Sequence, residues 1–176
     1  MAFWSNGSGK EPKRAYRWIL SVDGIEAYTI KKVSKPSFTV SESSHQFLNH
    51  TYYYPGRIEW STISFTLVDP VDPDAAKALL EKIKASGYQP IDSALEEDLG
   101  TMNKAASIEA LKEPKIHQIG EDGKNVETWT LHNAWIKDVK FGELDYSSDD
   151  MVEIQVEMRF DYASCASGGS THFGVK

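Results

Sequence analysis

Cysteine is nearly absent: Cys165 stands alone among 176 residues. No disulfide can close within the chain, no cysteine-rich zinc site can form, and a reducing compartment fits. Long apolar runs are missing too. Nothing approaches the roughly 20 residues of a membrane-spanning helix, and the opening MAFWSNGSGKEPKR has no apolar signal-peptide core. No membrane anchor is expected, and the sequons at Asn6 and Asn49 are read as incidental. Positive charge is outnumbered, 19 Lys and Arg against 26 Asp and Glu, for a net charge of -7. That disfavours nonspecific nucleic-acid binding, which needs clustered Lys and Arg. No nucleophile elbow, phosphate loop, dinucleotide fingerprint or kinase motif occurs. Neither an enzyme nor a cofactor is expected. His45 and His50 lie five positions apart with no cysteine partner and no third ligand, the wrong pattern for zinc, so no metal is expected either.

What is present is enough apolar residue, 40% of the chain, to build a real core. The length suggests one domain. Residues 1–13 are Gly-, Ser-, Lys- and Pro-rich and read as a flexible extension. Residues 14–163 read as the folded domain, and the Ser/Gly-rich 164–176 as a flexible tail. AYRWILSVDG alternates, and Asp23-Gly24 reads as a hairpin turn into IEAYTIKKV. Ile63, Phe65 and Leu67 alternate with Thr62, Ser64 and Thr66, as in an antiparallel strand with one wet face. Asp72 as N-cap and Pro73 at the first position open a helix that Gly87 closes. Its stripe of Ala76, Leu79, Leu80 and Ile83 is expected to face the sheet, with Lys77, Glu81, Lys82 and Lys84 outward. NKAASIEALKEP suggests a second short helix ended by Pro114. KIHQIGEDGKNVETWTLH reads as a hairpin with Asp122-Gly123 at its tip. MVEIQVEMRFDY predicts one long strand, with Val152, Ile154, Val156, Met158, Phe160 and Tyr162 on one face and Glu153, Gln155, Glu157, Arg159 and Asp161 on the other. The class is β-rich α+β: an antiparallel β-sandwich or partly open barrel with one flanking helix.

Two features ask for a partner. The strand from Met151 to Tyr162 carries no Lys or Pro to blunt an edge, so its edge is either covered within the subunit or paired with a neighbour. The stretch SSHQFLNHTYYYPGR, Ser43 to Arg57, crowds aromatics around Pro55-Gly56. Tyr52, Tyr53, Tyr54 and Trp60 could stack on a sugar, as in a carbohydrate-binding module. Tyr and Trp are also the residues in which interface cores are rich, and the interface reading is the stronger.

KPSFTVSESSHQFLNHTYYYPGRIEWSTISFTLVDPVDPDAAKALLEKI, followed later by NAWIKDVKFGELDYSSDDMVEIQVEMRFDYA, resembles the tail tube proteins of contractile-tailed bacteriophages. The matching residues are Arg57 and Trp60 leading a strand, a mid-chain helix, the turn Gly142, Glu143, Leu144, Asp145, Tyr146 and Ser147, and Asp161-Tyr162 ending the last strand. The resemblance covers about residues 15 to 163. It implies a structural virion protein whose subunits form homohexameric rings, stacked into a tube with a continuous lumen barrel. A tail sheath protein would surround the tube, and baseplate and tail terminator proteins would stand at its ends. Phage DNA would pass through without specific binding, and assembly would take place in the host bacterial cytoplasm. On this reading Thr62, Ser64, Thr66, Glu153, Gln155, Glu157 and Asp161 line the lumen as an acidic, non-adhesive wall. Ser43, His45, Phe47, His50, Tyr52, Tyr53, Tyr54 and Arg57 form a loop that reaches a neighbouring subunit or ring. Lys77, Glu81, Lys82 and Lys84 look toward the sheath. The resemblance leaves open a baseplate tube initiator and the inner tube of a contractile injection system.

Overall fold

The computed structural model describes residues 12–89, 100–168 and 170–173. Period-two patterning sets its centre. β5 (Ile63–Val68) buries Ile63, Phe65 and Leu67, and β9 (Glu153–Arg159) buries Ile154, Val156 and Met158. The two strands pair antiparallel with Phe65 beside Val156 and Leu67 beside Ile154, so buried residues meet across the ladder. β2 (Ile30–Val33) and β8 (Trp135–Lys140) flank them, giving the order β2-β5-β9-β8. A five-stranded sheet combines β1 (Trp18–Ser21), β6 (Lys115–Ile119), β7 (Asn125–His132), β10 (Tyr162–Ser167) and β11 (Ser170–Phe173), in the order β1-β6-β7-β10-β11. β3 (Phe38–Phe47) and β4 (His50–Trp60) pair only with each other among the described residues. The two larger sheets share one core. Leu20, Ile116, Leu131 and Ala163 come from one sheet and the β5 and β9 residues from the other, with Leu79 and Leu111 added from helices. The protein is a β-rich α+β sandwich in which none of the described sheets closes on itself.

Two α-helices flank the sheets among the described residues, the mid-chain one and the second short one. α1 (Ala75–Ala85) is capped by Asp74, whose carboxylate accepts the Lys77 N–H at 2.8 Å, so the helix starts two residues after the expected Asp72–Pro73 opening. α2 (Lys104–Leu111) is capped by Asn103 in the same way. Of the expected stripe, Leu79 is buried beside Ala75, Ala76 packs against the core and Ile83 is half-buried. Leu80 is 56% exposed, and Lys82 is turned inward. The Lys82 ammonium donates to Asp23 at 3.3 Å and to the Ala110 carbonyl at 2.9 Å, so its stem can be buried while its charge is satisfied. Lys77, Glu81 and Lys84 are exposed as expected. Leu79→Ala is therefore expected to cost about 2–5 kcal/mol, and Leu80→Ala less than about 0.5 kcal/mol. Urea unfolding of the two variants checks this, and equal losses would contradict the burial.

Other differences lie at sheet boundaries. Asp23-Gly24 does make a turn, with Gly24 at φ 72° and a single bridge Val22–Ile25, but β1 and β2 then enter different sheets instead of one hairpin. The expected strand from Met151 to Tyr162 is two strands. β9 ends at Arg159, and β10 starts at Tyr162 in the other sheet. β9 is internal, with a strand on each side, so its edge is covered within the subunit. The Ser/Gly segment read as a tail includes strand residues of β10 and β11, paired to each other and, for β10, to β7. Of the N-terminal extension, residues 1–11 lie outside the described residues. The α2 helix and the β6–β7 hairpin turning at Asp122-Gly123 stand where the sequence placed them.

Candidate functional site

The stretch from Ser43 to Gly56 is not a loop but most of a regular hairpin arm. β3 and β4 pair from Phe38–Trp60 at the base to Phe47–His50 at the tip, where Leu48 turns the chain with φ 51°. The Pro55-Gly56 pair sits within β4 and marks a bulge, not the turn. Between Val40 and Glu42 the partners on β4 step from Ile58 to Pro55, so β4 carries one extra residue opposite Ser41. The Ser41 hydroxyl accepts the Arg57 N–H at 2.8 Å. A Cβ on residue 56 would stand 2.4 Å from that hydroxyl, which is why glycine is required. The bulge changes the parity of β4. Tyr53, opposite Ser44, shares a face with Val40 and Ile58, while Tyr52 and Tyr54, opposite His45 and Ser43, share the other with Phe47 and His50.

The base of the arm is anchored. Trp60 is buried, with its ring 5.1 Å from Phe38 edge-on and 5.7 Å from Phe160. Beyond the base the arm is bare: Tyr52, Tyr53 and Tyr54 are 51%, 66% and 55% exposed, Phe47 is exposed as well and Leu48 more than any of them. From Phe38–Trp60 to Phe47–His50 the arm is laddered within the subunit except at the bulge.

Thr62, Ser64, Thr66, Glu153, Gln155 and Glu157 come together on the uncovered face of the four-stranded sheet. Asp161 does not join them. It sits in the turn between β9 and β10, where Lys104 donates to both its oxygens at 2.7 and 2.9 Å and Asn133 donates at 2.9 Å. Those bonds, Lys104 first, hold its carboxyl below the usual range. The face is also not the acidic wall expected. Lys31 pairs with Glu153. Lys137 pairs with Glu157 at 3.2 Å, with Thr62 donating to the same carboxylate. Lys140 lies 3.9 Å from Asp138. Lysines brought from the neighbouring strands neutralise the β9 carboxylates, which the pattern along β9 alone cannot show. Lys31 and Lys137 are moreover the extra residues of bulges in β2 and β8.

Three further features escaped the sequence reading. The loop from Phe141 to Val152 caps one end of this sheet and, with Lys31, Lys140, Glu153 and Gln155, lines a groove of about 1360 Å³. Gly142 takes φ 83°, and a Cβ there would stand 2.7 Å from the Glu153 carbonyl. Leu144, Tyr146 and Met151 are exposed along the loop. Secondly, His132 stacks on Tyr162 with ring centres 4.5 Å apart, and its nitrogens meet Ser164 at 2.8 Å and Glu113 at 3.2 Å. That chain of contacts ties β7 and β10 to the segment after α2.

Thirdly, Glu127 on β7 accepts from Lys13, from Lys35 at 2.9 Å and from the Trp129 indole. It joins the N-terminal segment to the β2–β3 link at the base of the arm. Burial pushes its pKa up, but the three donors outweigh burial and bring it down to about 2. The folded value lies below the unfolded one of about 4.3. The stabilisation is therefore fully present above about pH 4.5 and is lost as pH falls toward 2. Glu127→Gln is expected to flatten the acid limb of the stability curve over that window, and urea midpoints measured from pH 2 to 7 test it.

No family model matches the sequence, and none of the curated proteins compared with it matches. The fold does have close likenesses among solved structures. A chain in the cryo-EM structure of the PVC sheath/tube terminator in the extended state, from an extracellular contractile injection system, matches with TM-score 0.67 at 17% identity. The match covers 91% of this chain and 100% of that one. A chain of the anti-feeding prophage tube terminating cap matches with TM-score 0.67 at 17% identity, over 96% and 100%. A chain of the PVC sheath-tube complex in the extended state matches with TM-score 0.63 at 18% identity, over 90% and 94%. At such identities the likeness is one of fold.

Proposed function

We propose that this chain is a structural subunit of a hollow tube: the major tail tube protein of a contractile-tailed phage, stacked as homohexameric rings that pass DNA during ejection. The observation that carries the reading is the β2-β5-β9-β8 sheet. Its apolar face lies in the core, its polar face is uncovered, and β2 and β8 have no outer strand beside them among the described residues. Consecutive pairs in it are antiparallel, so β2 and β8 run in opposite directions. Setting β2 of one copy beside β8 of the next continues the antiparallel order around a ring and removes both edges. Six such sheets at about 4.8 Å per strand would close a barrel roughly 37 Å across its backbone. The polar face then becomes the lumen wall, and its paired charges present little net attraction to a passing polyanion. Lys77, Glu81 and Lys84 would face a sheath, and baseplate and terminator proteins would meet the tube ends.

A second reading, an inner tube or tube-ending ring of an injection system, is favoured by the origin of the three structural likenesses, all from such particles. Negative-stain imaging of the purified protein at high concentration tests both. Hollow tubes of open-ended length support the main tube subunit, and isolated rings alone support a tube-ending role. A stable monomer that binds glycans would overturn both in favour of a carbohydrate-binding module.

A further inference from the structure

We infer that the groove under the Phe141–Val152 loop is the receptor for the hairpin arm of a second copy, seated head to tail. This rests on the tube reading and names the contact that stacks one ring on the next. The topology places the two surfaces at opposite ends of one sheet. The arm leaves the sheet where β2 ends at Val33 and β5 begins at Ile63. The loop lies where β8 ends at Lys140 and β9 begins at Glu153. A contact between opposite ends of identical subunits is heterologous, and repeated along the strand direction it builds an open stack.

The dimensions agree. β5 has 6 residues and spans about 20 Å, whereas β4 has 11 and spans about 36 Å at roughly 3.3 Å per residue. An arm longer than the sheet it springs from reaches beyond its own subunit. The chemistry is complementary as well. The arm tip offers exposed apolar surface from Phe47, Leu48 and the three tyrosines, together with phenol and imidazole hydrogen-bond donors. The groove offers exposed Phe141, Leu144, Tyr146 and Met151 with the carboxylates of Glu143, Asp145 and Asp150. Neither surface is covered by another segment among the described residues, and exposed aromatics gathered in one patch are what protein contacts use.

The test is a cross-link between two variants of the full chain in a Cys165→Ser background. One carries Thr51→Cys near the arm tip and the other Ser148→Cys in the groove, mixed and oxidised after assembly. A disulfide dimer should dominate in stacked tubes and stay at background in unstacked rings and monomers. Stacked tubes without the dimer, or the dimer in single rings, would overturn the arm-to-groove contact and leave the tube reading intact. Failure of the wild-type protein to form rings or tubes at all would overturn both. As a second line, Leu144→Asp with Tyr146→Ser should keep the monomer's unfolding midpoint and raise the concentration needed for tube formation at least tenfold. An unchanged assembly threshold would count against the groove.

Discussion

Ile154→Asp is expected to yield no folded subunit. Ile154 has no exposed surface, lies near the start of the internal strand β9, and pairs with buried Leu67 on β5. The substitution removes the packing of a fully buried side chain, worth about 2–5 kcal/mol. It also places a carboxylate where the described neighbours are apolar, at several kcal/mol more. Together these approach the roughly 5–15 kcal/mol by which domains are stable. Gln155→Asp, one residue on and facing the other way, is the control and should cost less than about 0.5 kcal/mol. Soluble yield and the near-UV dichroism of both variants check the contrast. A cooperative melt from the Ile154 variant would mean that this face of β9 is not the core.

Tyr53→Ala together with Tyr54→Ala is expected to leave the subunit folded and stop its polymerisation. Both rings are more than half exposed, and as consecutive strand residues they lie on opposite faces of the arm, so neither holds the subunit together. Stability should change by less than about 1 kcal/mol. Interface anchors of this type cost about 2 kcal/mol or more each when truncated. Two lost per copy correspond to roughly a thousandfold in association, at tenfold per 1.4 kcal/mol. Sedimentation and imaging of the variant beside wild type give the answer, and normal tubes would remove the arm from the assembly.

The alternation in β5 and β9, the second helix and the Asp122-Gly123 hairpin were legible because each is decided within a few residues. What was not legible depends on distant parts of the chain. The period-two pattern runs unbroken from Met151 to Tyr162 because Phe160 and Tyr162 keep the parity of β9 while the chain crosses to the other sheet. Asp161 was thus read as one more wet-face residue. Hydrophobicity ranks Leu80 above Lys82, yet the lysine is inside because Asp23 and the Ala110 carbonyl, remote in sequence, await its charge. Pro55-Gly56 reads as a turn, and only the Ser41 hydroxyl on the partner strand shows that the glycine serves a bulge. Of the candidate lumen residues, the six on β5, β9 and Thr62 share a face as the pattern indicated. Their neutralising lysines come from strands that periodicity cannot place side by side.

The bulges at Lys31 and Lys137 interrupt the two outer strands whose pairing would close a ring, and each lysine is pinned back onto β9 by Glu153 or Glu157. An interrupted edge with a charge on it is a poor template for chance pairing. Freshly made subunits should therefore start tubes slowly and join faster where an existing ring holds several contacts in place at once. Growth of this kind is slow to start and quick to extend. The number and length of tubes would then be set by how many starting platforms exist rather than by how much subunit is made.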